Sequence, residues 1–171
     1  MHLDYALDEK LRPTKDRVKE SMFNILSDHV TDATCLDLFA GCGSLGFEAI
    51  SRGAHWVDFV DIDNSFLKKN ASKFKDNTNF SIHRASFYHY VKHCNKRYDL
   101  IFLDPPWTQL HFFEDSLKLI FEFDILSERS IIVCEHPKDY DISTEFEQDT
   151  RSFGRSKLTV INHDKKSNLS G

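Results

Sequence analysis

A chain of 171 residues, 40% hydrophobic and 29% charged, has the make-up of one soluble domain with a sizeable core. Its net charge of -5 speaks against a strong, sequence-independent hold on naked nucleic acid, which draws on many Lys and Arg contacts to phosphates. No apolar run reaches the roughly 18 residues that cross a bilayer, and no basic stretch leads into an apolar one at the start, so a cytoplasmic place away from membranes is expected.

Residues 1–10 read as a short polar tail, 11–163 as one domain and 164–171 as a second polar tail. A helix is predicted from about Thr14 to Ser27, capped by Thr14 or Asp16, with Val18, Met22, Phe23, Ile25 and Leu26 as its apolar stripe. Strands then alternate with helices. Strands are predicted over 35–39, 56–60, 79–82, 98–103 and 130–135. Helices fall between them, up to about Arg52, from Asn64, over 87–94 and over 110–122. Phe146 onward and 157–161 read as two more strands, joined at Gly154 and paired as a hairpin on the sheet edge. Alternation of this kind implies a mostly parallel sheet covered on both faces. Ligands in such sheets bind outside the carboxyl ends of the strands.

Cys35, Cys42, Cys94 and Cys134 are scattered with no C-x-x-C pair, so free thiols are expected rather than a disulfide framework or a zinc site. His89 and His93 have a spacing that can hold a metal, but no third or fourth ligand accompanies them, and no metal is expected. Lys15, Arg17 and Lys19 form one of several local basic clusters, for which a solvated surface is the simpler reading.

The most specific stretch is Asp104-Pro105-Pro106-Trp107, at the end of the apolar run Leu100-Ile101-Phe102-Leu103. It sets one carboxylate at a strand tip. Neither proline nitrogen can donate, so backbone carbonyls there stay free to accept. A carboxylate and a carbonyl beside an aromatic plate suit a flat ring bearing an exocyclic amine. The simpler alternative is a strand-end turn with a packed Trp.

Phe39-Ala40-Gly41-Cys42-Gly43-Ser44-Leu45-Gly46 holds G-x-G-x-x-G, which by itself fits a dinucleotide site equally well. Glycine lets backbone approach a ligand where a Cβ would collide. Asp61, at the end of the second strand, suits ribose hydroxyls, or else caps the next helix. Asp37, just before the turn, suits an ammonium group, or else bonds nearby backbone amides. Asp37 together with the Asp-Pro-Pro-Trp stretch favours S-adenosyl-L-methionine over a nicotinamide dinucleotide.

Residues 12–26, beginning Arg12-Pro13-Thr14, resemble the opening motif of RsmD-type enzymes, bacterial 16S ribosomal RNA guanine-N2 methyltransferases. Leu36-Asp37-Leu38-Phe39-Ala40-Gly41-Cys42-Gly43 is similar to their cofactor motif, Asp104-Pro105-Pro106-Trp107 to their catalytic motif and Phe153-Gly154-Arg155 to their closing hairpin. The resemblance implies a Rossmann-like class I methyltransferase with a mostly parallel seven-stranded sheet and a C-terminal antiparallel hairpin. It implies Asp104, Pro105, Pro106 and Trp107 as catalytic, and Asp37, Phe39, Ala40, Gly41, Gly43, Asp61, Ile62, Ser86 and Phe87 as cofactor-binding. Arg12, Thr14 and Arg17 would meet RNA, with 16S rRNA or the small ribosomal subunit as partner and a monomeric enzyme. Two departures stand out. The ten residues before Leu11 are rich in acid where the family is basic. Ser86 stands where the family places an Asp for the adenine amine, so weaker donor binding is expected. Adenine-N6 methylation and a non-catalytic RNA-binding scaffold are the competing readings.

Overall fold

The computed structural model describes residue 3 and residues 14–164. Helix α1 (Thr14–Leu26) is followed by a 3-10 turn and strand β1 (Thr34–Asp37). Then come α2 (Ser44–Ser51), β2 (Trp56–Asp61), α3 (Ser65–Ala71), β3 (Phe80–Arg84), α4 (Phe87–His93), β4 (Tyr98–Leu103), α5 (His111–Glu122) and β5 (Leu126–Pro137). The chain closes with β6 (Gln148–Phe153) and β7 (Ser156–Asp164). The strands form one seven-stranded sheet in the order β3-β2-β1-β4-β5-β7-β6. The first five run parallel, β7 is antiparallel to β5, and β6 is antiparallel to β7 at the outer edge.

Side-chain alternation along the strands divides the core between the two faces. On β4, Leu100 and Phe102 join one cluster with α1 and α2, which holds Val18, Met22, Phe23 and Phe47. Ile101 and Leu103 join the other with α4 and α5, which holds Phe87, Val91, Phe113 and Ile120. The core is rich in rings: Phe47 stacks on Phe74 at 4.3 Å and tilts against Phe59 at 4.6 Å.

Most elements shift by a residue or two from their predicted bounds, β1 ending at Asp37 rather than 39, and three differences have a visible cause. α1 ends at Leu26 because Ser27 turns into positive φ (45°). β5 starts at Leu126 rather than 130, and its pairing with β4 shifts register between Tyr98 and Leu100. Asp164 is paired opposite Arg129 and closes β7 rather than opening a tail.

β1 is the point where the strand order turns: β2 lies on one side of it and β4 on the other. Loops leaving β1 and β4 therefore diverge and leave a crevice above their carboxyl ends.

Candidate active site

A cavity of about 640 Å³ fills that crevice. Its wall includes Asp37 at the end of β1 with Phe39, Ala40 and Gly41 from the loop after it, Asp61 at the end of β2 with Ile62 after it, Ser86 and Phe87 after β3, and Asp104 through Trp107 after β4. Every predicted cofactor or catalytic residue is there except Gly43. That glycine sits at φ 88° as the residue before α2, and a Cβ on it would lie 2.5 Å from the Phe47 ring and 2.7 Å from Leu67. It serves packing and the turn into the helix. Gly46 has the same duty, since a Cβ there would meet the Phe59 ring at 2.2 Å. Gly41, at φ 57°, is the glycine of the motif that borders the cavity.

The turn is held from several sides. Ala40 N donates to Val60 O at 2.9 Å, and Gly43 N to Ala40 O at 2.8 Å. Asn70 on α3, fully buried, donates from Nδ2 to Cys42 O at 2.9 Å. Asp61 accepts from Gly41 N at 2.7 Å with one carboxylate oxygen and from Asp63 N at 3.1 Å with the other. Asn64 holds the cap position of α3 without a side-chain cap bond, and Asp63 just before it accepts from Ser65 N at 3.1 Å. Asp61 thus orders the glycine turn, and each of its oxygens retains a lone pair for a ligand hydroxyl. Asp37, almost fully buried, accepts from Gly46 N at 3.1 Å.

On the β4 side, Asp104 is half-buried, Pro105 buried, Pro106 exposed and Trp107 half-buried. The Asp104 charge lies close to Cys134, whose thiol is pushed far up, chiefly by burial and further by that carboxylate. Cys35 is likewise pushed up to about 12, chiefly by burial, with Asp99 and Asp37 adding to it. Both thiols are therefore unreactive at neutral pH.

One side of the wall is aromatic. Phe87 lies 5.1 Å from Phe39, 4.0 Å from Tyr88 and 4.8 Å from Phe112. Tyr88 and Phe112 line the cavity but carry no motif; only their helical positions bring them there. The Tyr88 hydroxyl donates to the Asp115 carboxylate, so the mouth is bridged from α4 to α5. Ser86 precedes α4 and accepts from His89 N at 3.2 Å, a helix cap that sequence reasoning assigned only to the ligand. Ile62 stands 65% exposed at the rim of the cavity.

Arg17 is exposed on α1. Arg12 and the side chain of Thr14 lie outside the described residues. His89 and His93 stack at 4.3 Å, and among the described residues no three His, Cys, Asp or Glu side chains converge on a metal position. Glu135 is buried and accepts from Ser156 Oγ at 3.3 Å. Among the described residues no helix is long and apolar enough to cross a membrane.

The solved structure of the Escherichia coli protein yhhF superposes with a TM-score of 0.80 at 27% identity, covering 90% of this chain and 88% of that one. An RNA methyltransferase from Salinibacter ruber, solved with S-adenosyl-L-homocysteine, superposes at 0.70 over 90% of this chain and 94% of its own; at 15% identity it shows the fold alone. These likenesses agree with the expected class I methyltransferase fold. In sequence, the ribosomal RNA small subunit methyltransferase D of Haemophilus influenzae is 38% identical over 142 residues, 80% of this chain and 73% of that protein. The Escherichia coli protein of the same name is 31% identical over 137 residues, 78% of this chain and 68% of its own length. The family model described as Conserved hypothetical protein 95 matches residues 2–162. With that match over nearly the whole chain, the protein belongs to the Conserved hypothetical protein 95 family, the RsmD family.

Proposed function

We propose that this protein is a cytoplasmic S-adenosyl-L-methionine-dependent methyltransferase of 16S ribosomal RNA, methylating the exocyclic N2 amine of a guanine in the small ribosomal subunit. The observation that carries the reading is one cavity that has the glycine turn, Asp37 and Asp61 on one side and Asp104, Pro105 and Trp107 on the other. Its volume falls in the ordinary range for small-ligand sites, about 300–1,000 Å³. The names of the curated relatives support the substrate class.

The residues present fit the donor. Asp37 offers a carboxylate to an ammonium. Asp61 offers acceptors to ribose hydroxyls, Ile62 and Phe87 flank an adenine, and Ser86 accepts from its amine. When bound, S-adenosyl-L-methionine supplies a methyl group activated on a sulfonium. The rest of the work falls to the chain. A guanine amine is a poor nucleophile because its lone pair is delocalised into the ring. Asp104 carboxylate and Pro105 carbonyl accept its two N–H bonds and turn the lone pair toward the donor. Positioning of this kind supplies much of the acceleration. The same acceptors stabilise the charge that develops on nitrogen. Trp107 stacks on the base, which must leave its helix or loop to enter. Arg12, Thr14 and Arg17 are the RNA contacts of this reading.

The test is tritium-methyl transfer to naked 16S RNA, assembled small subunits and DNA in parallel, with digestion of the product. N2-methylguanosine from ribosomal RNA is the expected result. N6-methyladenosine, or no transfer to any of the three, would overturn the proposal.

A further inference from the structure

Lys19 has no part in the chemistry above, yet it reaches the donor side of the cavity. It projects from α1, and its Nζ donates to Ser44 Oγ at 3.3 Å in a partly buried contact. Ser44 is the first residue of α2 and belongs to the cavity wall. Among the described residues no carboxylate stands within ion-pair distance of Lys19, so its charge is not cancelled there. Two residues along the same turn, Gly46 N donates to Asp37. The first turn of α2 therefore has an anion at one side and a cation at the other.

An α-amino acid tail carries an ammonium and a carboxylate on a single carbon. Asp37 answers the ammonium. Nothing in the motifs answers the carboxylate. We propose that Lys19 does: its ammonium, together with the amide end of α2, binds the carboxylate of the donor's methionine tail at the position marked by Ser44 Oγ. The open amides and the dipole of a helix start favour negative charge there, and a charge-assisted contact from Lys19 strengthens it. This inference rests on the reading that S-adenosyl-L-methionine occupies the cavity. An RNA phosphate is the competing partner for a lysine on this helix. Burial decides between them, because Arg17 points to solvent while Lys19 is half-buried and tied to the cavity wall. One helix then touches both reactants, RNA with its outer face and donor with its inner one.

Calorimetric titration separates the two partners. The full chain and its Lys19→Gln variant are each titrated with S-adenosylhomocysteine and with 5'-methylthioadenosine, which keeps the nucleoside and lacks the amino-acid tail. The variant should bind S-adenosylhomocysteine about tenfold more weakly or worse, the size of one charge-assisted hydrogen bond. Its affinity for 5'-methylthioadenosine should stay that of the parent, which also shows that the variant is folded. Lys19→Arg should keep most of the S-adenosylhomocysteine affinity. Equal S-adenosylhomocysteine affinity in parent and Lys19→Gln overturns the inference, as does equal weakening toward both ligands. Loss of affinity for a 16S RNA fragment alone overturns it in favour of the phosphate. If the parent chain binds neither ligand, the donor reading itself has failed.

Discussion

Asp104 is the residue on which the proposed chemistry turns. Asp104→Asn keeps the shape of the side chain and replaces one acceptor with a donor. Methyl transfer should fall at least about a hundredfold, the size of losing one preorganised group, while S-adenosylhomocysteine binding persists by calorimetry. Near-normal turnover would end the assignment. Asp104, Asp61 and Asp37 were legible in sequence because each follows or ends an apolar run, and a strand's end is set by its own composition. Asp58 was not legible. It lies inside β2 and is fully buried, with Trp56 Nε1 at 3.0 Å, Tyr98 hydroxyl at 2.7 Å, His83 Nε2 at 3.0 Å and Lys96 Nζ at 3.0 Å around its carboxylate. Most of those partners are far away in the chain, so no local pattern announces them. Burial by itself raises the Asp58 carboxyl, but the four donors outweigh it and hold the group below the usual carboxylate range. Its folded pKa is lower than its unfolded one. Its stabilisation is therefore present above the unfolded value of about 3.9 and is lost as pH falls through the folded value. Urea unfolding should show Asp58→Asn clearly less stable than the parent at pH 7, and the gap should narrow in acid. A gap that is the same at pH 7 and pH 3 would contradict this.

At the scale of elements, α4 ties the aromatic wall to the donor site through its cap. Ser86 Oγ already accepts from His89 N, so one oxygen is asked to hold both a helix end and a ligand amine. Ser86→Ala should cost about 1 kcal/mol of stability in thermal or urea unfolding, the usual value of a lost cap. Ser86→Asp preserves a good cap and adds charge, so S-adenosylhomocysteine should bind several-fold more tightly than to the parent. Unchanged or weaker binding would show that this position does not meet the adenine amine. β4, bounded by its apolar run, agrees with expectation residue for residue. β5 does not, because Ser127-Glu128-Arg129 look like a loop, yet the strand runs on through them from Leu126, paired with Tyr98, to Arg129, paired with Asp164. Gly43 stands outside the cavity lining for a related reason. The motif specifies a turn, but which glycine faces the ligand depends on Phe47 and Leu67 behind it. Tyr88 and Phe112 escaped notice because helix rotation, set by packing, aims them at the cavity.

For the whole molecule, the parallel order and both covered faces followed from the alternation of elements, whereas the position of β7 inside β6 rests on its antiparallel pairing with β5, from Arg129 opposite Asp164 to Pro137 opposite Ser156. A net charge of -5 makes a long track of phosphate contacts on bare RNA unfavourable. Methyl transfer to assembled small subunits should therefore exceed transfer to naked 16S RNA at physiological salt, with the larger falling-off on salt addition for the naked RNA. Equal rates on both would argue that the RNA alone supplies the recognition. The outer position of β6 has a different consequence. Any sheet edge leaves a row of amides and carbonyls ready to recruit another chain. Here that row is flanked by exposed Asp149 and Arg151, paired at 3.3 Å. An incoming copy would have to desolvate both charges to zip onto it, so the edge is guarded against fibril growth even in a crowded cell.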